Sequence, residues 1–122
     1  MDYKKIKSFE DACQVLGINP EEFKITYPEK VAHHGRALAA HAKLVIIADA
    51  LNNGWQPDWD NSNENKYYPW FKMSPSGFRS GVYAHVFTSS DVGSRLCFKS
   101  IDLARYAGET FTDLYKDYFL IG

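Results

Sequence analysis

Chemically reactive side chains are scarce in this chain, and their spacing does not favour joint action. Among its 122 residues there are two cysteines and four histidines. His34 and His41 share one face of a predicted helix, but they lie two turns apart, about 10 Å along the axis. Because a metal site needs at least three converging ligands, we expect neither a metal ion nor another cofactor.

No assembled nucleophile is evident in the sequence either. Cys97 lies in the apolar run Leu96-Cys97-Phe98, where burial keeps a thiol protonated and inert. His85 could approach it from a neighbouring strand, but no third side chain is placed to orient the pair. We therefore expect no catalytic residues, and a small enzyme of unknown reaction stays as an alternative function.

Long apolar runs and a large net charge are also missing. No stretch approaches the roughly 20 apolar residues that cross a bilayer, and no apolar segment follows Lys4, Lys5 and Lys7 as it would in a signal peptide. The formal net charge of −1 at pH 7 gives no overall attraction to nucleic acid or to an anionic membrane. We expect a cytoplasmic protein with reduced thiols and no membrane association.

Helical periodicity is strongest in two segments of the chain. One runs from about Glu29 to Asn52 and predicts a long central helix, and the other begins at the N-cap Ser100 and predicts a C-terminal helix. Gly108 lies inside the second, where it costs about 1 kcal/mol relative to Ala unless another element packs closely against it. Two short N-terminal helices are predicted as well, over residues 8–17 and from Asn19 onward.

Three extended segments between the long helices predict a small sheet. They are rich in aromatic and β-branched side chains and cover Tyr67 to Met73, Phe78 to Thr88, and Ser94 to Ser100. The short gaps between them fit hairpins, so we expect an antiparallel three-stranded meander. Pro69 indicates that the first strand lies at an edge or starts late. Together these elements predict one α+β domain over residues 1–122, with the meander packed against the long central helix.

Aromatic and basic residues are concentrated in the second half of the chain. Aromatic residues make up 16% of the sequence, and all three tryptophans lie between Trp55 and Trp70, beside the polar run 60–66. The segment from Lys66 to Arg105 holds six basic and two acidic residues and thus carries +4, which leaves −5 for the rest of the chain. This segment is the best candidate for a binding surface.

Rings interleaved with cations fit two kinds of partner. Trp, Tyr and Arg dominate the energetics of protein interfaces, so we expect a protein partner. Single-stranded nucleic acid is the alternative, because rings stack on bases while cations contact phosphates. If the rings point inward and the cations outward, the pattern is only that of a half-buried sheet. The candidate binding residues are Trp55, Trp59, Tyr67, Trp70, Arg79, Arg95 and Lys99.

Several short motifs follow one another along the chain. They are Ser8-Phe9-Glu10-Asp11-Ala12 with Leu16-Gly17, then Lys66-Tyr67-Tyr68-Pro69-Trp70-Phe71, then Gly93-Ser94-Arg95-Leu96-Cys97-Phe98-Lys99-Ser100 leading into Ala104-Arg105-Tyr106-Ala107-Gly108 and Phe111. In this order they resemble an uncharacterised family of short proteins encoded by gut bacteria and their phages or mobile elements. The resemblance covers nearly the whole chain and implies an accessory protein. Its motifs concern packing and carry no known activity, so it assigns no residue a role.

Overall fold

In the computed structural model, which describes residues 2–74, 77–85 and 90–121, helices and a small antiparallel sheet form an α+β fold. Within those residues the elements are, in chain order, α1 (Phe9–Leu16), α2 (Gly35–Asn52), β1 (Lys66–Lys72), β2 (Arg79–His85), α3 (Ile101–Thr110) and α4 (Thr112–Phe119). Short 3-10 turns occupy Tyr3–Lys5, Pro20–Glu22 and Glu29–His34. No helix in this described part of the chain is long and apolar enough to cross a membrane.

Local capping residues begin α1 and α3, and end α1 and α2, where the sequence predicts. Ser8 and Ser100 each accept the backbone N–H of the residue three positions further on, at 3.0 and 3.1 Å, and so begin α1 and α3. Gly17 ends α1 in the left-handed conformation at φ 71°. Asn53, at φ 48°, ends α2 in the same way and confirms Asn52 as its last residue.

Both long helices are shorter than their periodicity suggests. Residues 29–34 form a 3-10 turn in which Val31, at φ −109° and ψ 15°, leaves the helical region, so α2 begins only at Gly35. A Cβ atom at Gly35 would collide with the Tyr27 ring, which therefore packs directly on the start of α2. The predicted C-terminal helix is divided into α3 and α4 by Phe111, at φ −112° and ψ 30°.

The described part of the sheet has two strands rather than the three of the expected meander. β1 and β2 pair antiparallel from Lys66 opposite His85 to Lys72 opposite Arg79. Residues 86–88 of the predicted second strand lie outside the described residues. The predicted third strand, Ser94 to Ser100, contributes a single bridge between Phe98 and Tyr67, with N···O distances of 2.6 and 3.0 Å.

Pro69 explains why this third pairing stops after one bridge. In an antiparallel ladder, residues two apart direct their backbone groups to the same side, so Pro69 faces the same side as Tyr67. Proline has no N–H to donate, and the ladder cannot continue past it. Asn52 binds the opposite side of the segment Ser94 to Ser100. Its side-chain NH2 group donates to the Cys97 carbonyl at 2.9 Å, and its side-chain oxygen accepts the Lys99 N–H at 3.2 Å. The end of α2 thus replaces a neighbouring strand.

The hydrophobic core collects side chains from all four helices and from β1. α2 packs against α1 and α4, while α3 lies against both strands. Of the six strongest apolar positions of the two predicted long helices, four are buried (Leu44, Ile47, Leu51 and Phe111), and Val45 and Leu114 are partly buried. Phe71 of β1 extends the core towards the C-terminus, with ring centroids 4.8 Å from Tyr115 and 5.5 Å from Phe119.

Gly108 is the point of closest approach between α3 and the sheet. A Cβ atom there would lie 2.9 Å from the Pro69 Cβ and 3.0 Å from the Ser80 Cβ. Such distances are too short for carbon atoms in contact, which meet at about 3.5–4.0 Å. This close contact explains why a glycine is found within α3, although glycine is a poorer helix former than alanine.

Replacing this glycine tests the contact. Gly108→Ala should lower the free energy of unfolding by about 1–3 kcal/mol through overpacking, although Ala is the better helix former by about 1 kcal/mol. Urea unfolding followed by circular dichroism measures the change. Glu109→Ala, at an exposed neighbour on the same helix, is the control and should stay within about 0.5 kcal/mol. A gain in stability for Gly108→Ala would contradict the close approach.

Candidate functional site

A buried lysine lies at the start of β1. The Lys66 side chain is 1% exposed, although it carries a charge. Its ammonium donates to the backbone carbonyls of Asn61 at 3.1 Å and Glu64 at 3.2 Å, and it lies 3.5 Å from the Glu64 carboxylate. The Trp59 ring covers it, with the ammonium 5.1 Å from the ring centroid. Buried charges persist in proteins when they are paired and hydrogen-bonded in this manner.

The polar run before β1 is closed around this ammonium by local hydrogen bonds. The Glu64 carboxylate accepts the Asp58 N–H at 2.8 Å, which joins the two ends of the loop. Asp58 and Asn61 each accept the N–H of the residue two positions on, at 3.0 Å, as in Asx turns. The repeated Asp and Asn residues are a sequence signal for these turns. Nothing in the sequence indicates that the carbonyl groups of the loop converge on the Lys66 ammonium.

Trp59, one of the candidate binding residues, is held within this loop. Its indole N–H donates to the Ser94 hydroxyl at 2.6 Å, and its ring face lies over Lys66. Its polar atom and one face of its ring are thus used inside the domain. Trp59 therefore links the loop 56–65 to the segment that begins at Ser94.

Trp55 and Arg95 both line a cleft beside the same loop. The cleft encloses about 450 Å³ and lies between the end of α2 and the segment after β2. Its polar lining includes Asp49, Asn52 and Ser94. The side chains of Asn52 and Ser94 already form hydrogen bonds within the domain. Sequence reasoning selected Trp55 and Arg95 but missed the two residues that hold the walls of the cleft together.

Tyr67 and Lys99 lie near the single bridge to β1 rather than in this cleft. Tyr67 is half-buried, and its backbone pairs with Phe98. Lys99 is exposed, and its backbone N–H is bound by Asn52. Neither residue is brought next to Trp70 or Arg79 by the strand register.

The other two candidates, Trp70 and Arg79, share the solvent-exposed end of the sheet. Trp70 is 62% exposed and pairs with Gly81 across the strands. Two residues on, Lys72 pairs with Arg79, so two cations lie directly opposite each other. Neither cation has an ion-pair partner among the described residues. We call this surface, formed by Trp70, Lys72, Arg79 and Gly81, the Trp70 face.

Loop cover determines where the Trp70 face begins. Lys66, Tyr68 and Trp70 alternate along β1 and therefore share one side of the strand. The loop 56–65 covers Lys66, and the Tyr68 hydroxyl donates to the Asp91 carboxylate at 3.1 Å. Lys66 and Tyr68 are both buried. Trp70 is the first residue on this side to reach solvent.

The two thiols are in surroundings that suppress their reactivity. Burial raises the pKa of the Cys97 thiol to about 11, because the thiolate would lose its hydration. Burial, followed by the charge of Glu10, also raises the pKa of Cys13. Both thiols are free. Among the described residues, no three His, Cys, Asp or Glu side chains lie close enough together to hold a metal ion.

Comparisons of the chain with protein-family models, with curated proteins and with solved structures give no match. The family resemblance of its motifs therefore stays an expectation. Four of the seven candidate binding residues lie on two surfaces, the Trp70 face and the cleft beside Trp55.

The role of the Lys66 ammonium can be measured through stability. Lys66→Met keeps the length and apolar stem of the side chain but leaves the carbonyls of Asn61 and Glu64 without a donor. We expect the free energy of unfolding to fall by about 1–3 kcal/mol, measured by urea unfolding. Lys72→Met, an exposed position on the same side of the same strand, should change it by less than about 0.5 kcal/mol. Equal effects of the two variants would show that the ammonium contributes no specific stability.

Proposed function

We propose that this protein is a non-enzymatic binding domain whose Trp70 face docks an acidic segment of a partner protein. The observation that carries the proposal is the exposure of Trp70, 62%, beside two opposed cations that no described carboxylate neutralises. Like charges directly opposite each other on a sheet are destabilising. A partner carboxylate between Lys72 and Arg79 would relieve that repulsion.

The chemistry of the Trp70 face suits such a partner. A large exposed ring is an anchor of the kind that dominates interface energies, and Arg belongs to the same group of residues. The Arg79 guanidinium can bind a carboxylate through two parallel hydrogen bonds. Gly81 presents no side chain opposite Trp70, which leaves room beside the ring for an apolar group of the partner.

Single-stranded nucleic acid is supported less well by the same surface. Proteins that bind single strands stack successive bases on several rings. Trp70 is the one candidate ring on the described sheet that is largely exposed, since Tyr67 is half-buried and Trp59 covers Lys66. One ring with two cations fits a peptide anchor better than a stacking platform.

An accessory role in the cytoplasm completes the proposal. The motifs of the chain resemble those of short proteins encoded by gut bacteria and their phages or mobile elements, and this resemblance implies an accessory protein. Cys13 and Cys97 are both free, which suits a reducing compartment.

Selection of peptides from a displayed random library tests the proposal. Peptides that bind the wild type should be enriched in Asp and Glu, and Trp70→Ala should weaken them at least about 30-fold, the loss typical of an interface hot spot. Lys72→Glu should weaken them as well and reduce the dependence of affinity on salt. Isothermal titration calorimetry measures both effects.

The matched control is Lys24→Glu, which makes the same charge change at an exposed position outside the sheet. It should leave the affinity of the selected peptides nearly unchanged. Selected peptides without acidic residues, or peptides that bind Trp70→Ala as tightly as wild type, would refute the proposal. Binding of oligodeoxythymidylate that falls steeply with salt and is lost in Trp70→Ala would favour nucleic acid instead.

A further inference from the structure

A second cleft, separate from the Trp70 face and from the cleft beside Trp55, lies where the start of α2 meets the end of α4. It encloses about 330 Å³, within the range of about 300–1,000 Å³ that small-molecule sites occupy. Its walls come from the turn before α2, the first turn of α2 and the C-terminal part of α4. None of the candidate binding residues selected from the sequence lines it.

Basic residues from two parts of the chain line this second cleft. His33, His34 and Arg36 come from the turn before α2 and the first turn of α2, and Lys116 comes from α4. The rings of His33 and His34 lie together, with centroids 4.0 Å apart. None of these four side chains forms an ion pair with a described carboxylate. The lining therefore concentrates basic residues that form no ion pair with a described carboxylate.

One acidic residue, Asp117, also lines the cleft. Arg36 and Lys116 together carry +2, so these three charged side chains carry a net +1. An anion is thus favoured in the cleft, although the protein as a whole carries a net charge of −1.

Apolar surface adjoins these cations. Phe119 and Ile121 line the cleft, and Ile121 is 96% exposed. The Tyr118 ring, also in the lining, stacks on His41 at a centroid distance of 4.7 Å and is thereby held in place. Cations beside an apolar wall can bind both ends of a molecule that is anionic at one end and apolar at the other.

We propose that this cleft binds a small organic phosphate, a monoester whose phosphate contacts Arg36, Lys116 and the histidine pair. Its apolar group packs against Phe119 and Ile121. Arg binds phosphate oxygens through its planar fork of donors, and Lys acts as a compact positive charge. The site is independent of the Trp70 face, because the two share no residue.

Phenyl phosphate is the probe, and inorganic phosphate and phenol are its two fragments. Titrations at constant pH and ionic strength, followed by backbone amide chemical shifts, give the dissociation constants. Phenyl phosphate should bind saturably, with shifts concentrated at residues 33–37 and 116–121. Inorganic phosphate should bind about 3- to 10-fold more weakly because it lacks the apolar contact, and phenol should show no saturable binding.

Substitutions in the cleft separate specific binding from general attraction of anions. Arg36→Gln and Lys116→Gln should each weaken phenyl phosphate about 5- to 10-fold, since each removes a charge-assisted hydrogen bond at an exposed site. Arg105→Gln removes an exposed cation of α3 and should leave the affinity unchanged. Absence of saturable binding, shifts located elsewhere, or equal weakening by Arg105→Gln would overturn the proposal.

Discussion

The loop 56–65 and its contacts with the rest of the domain depend on the hydrogen bonds of the buried Lys66 ammonium. It lies where the long loop enters β1, and it bonds to two carbonyls of that loop while Trp59 covers it. The indole of Trp59 in turn bonds to Ser94, and the segment after Ser94 reaches Asn52 at the end of α2. One charge thus connects the loop, the sheet and the central helix, because a charge in this position has no solvent to replace its protein partners.

Local signals in the sequence predicted both ends of α1, the start of α3 and the end of α2, whereas contacts between distant segments set several other features. Ser8, Ser100 and Asn53 act through hydrogen bonds or backbone angles within a few residues. The third strand depended instead on whether β1 could offer an N–H at position 69, and its proline prevents this. Gly108 was recognisable as costly within a helix, but only the fold shows that Pro69 and Ser80 lie against it.

The candidate site shows the same division. Alternation along β1 predicts that Lys66, Tyr68 and Trp70 share one side, but it does not predict which of them a loop covers. The loop 56–65 covers Lys66, and Asp91 bonds to Tyr68. Of these three residues, only Trp70 is therefore exposed. The basic cleft at Arg36 and Lys116 was not predicted at all, since its residues are 80 positions apart in the sequence and meet only when α2 packs on α4.

Amide hydrogen exchange of the loop 56–65 in wild type and in Lys66→Met tests most directly whether the ammonium orders this loop. If it does, the Asp58 amide, which bonds to Glu64 in the closed loop, exchanges slowly in the wild type and loses its protection in the variant. Amides in the middle of α2 would lose no more protection than the global change in stability explains. An Asp58 amide that stays equally protected in Lys66→Met would show that the loop closes without the ammonium.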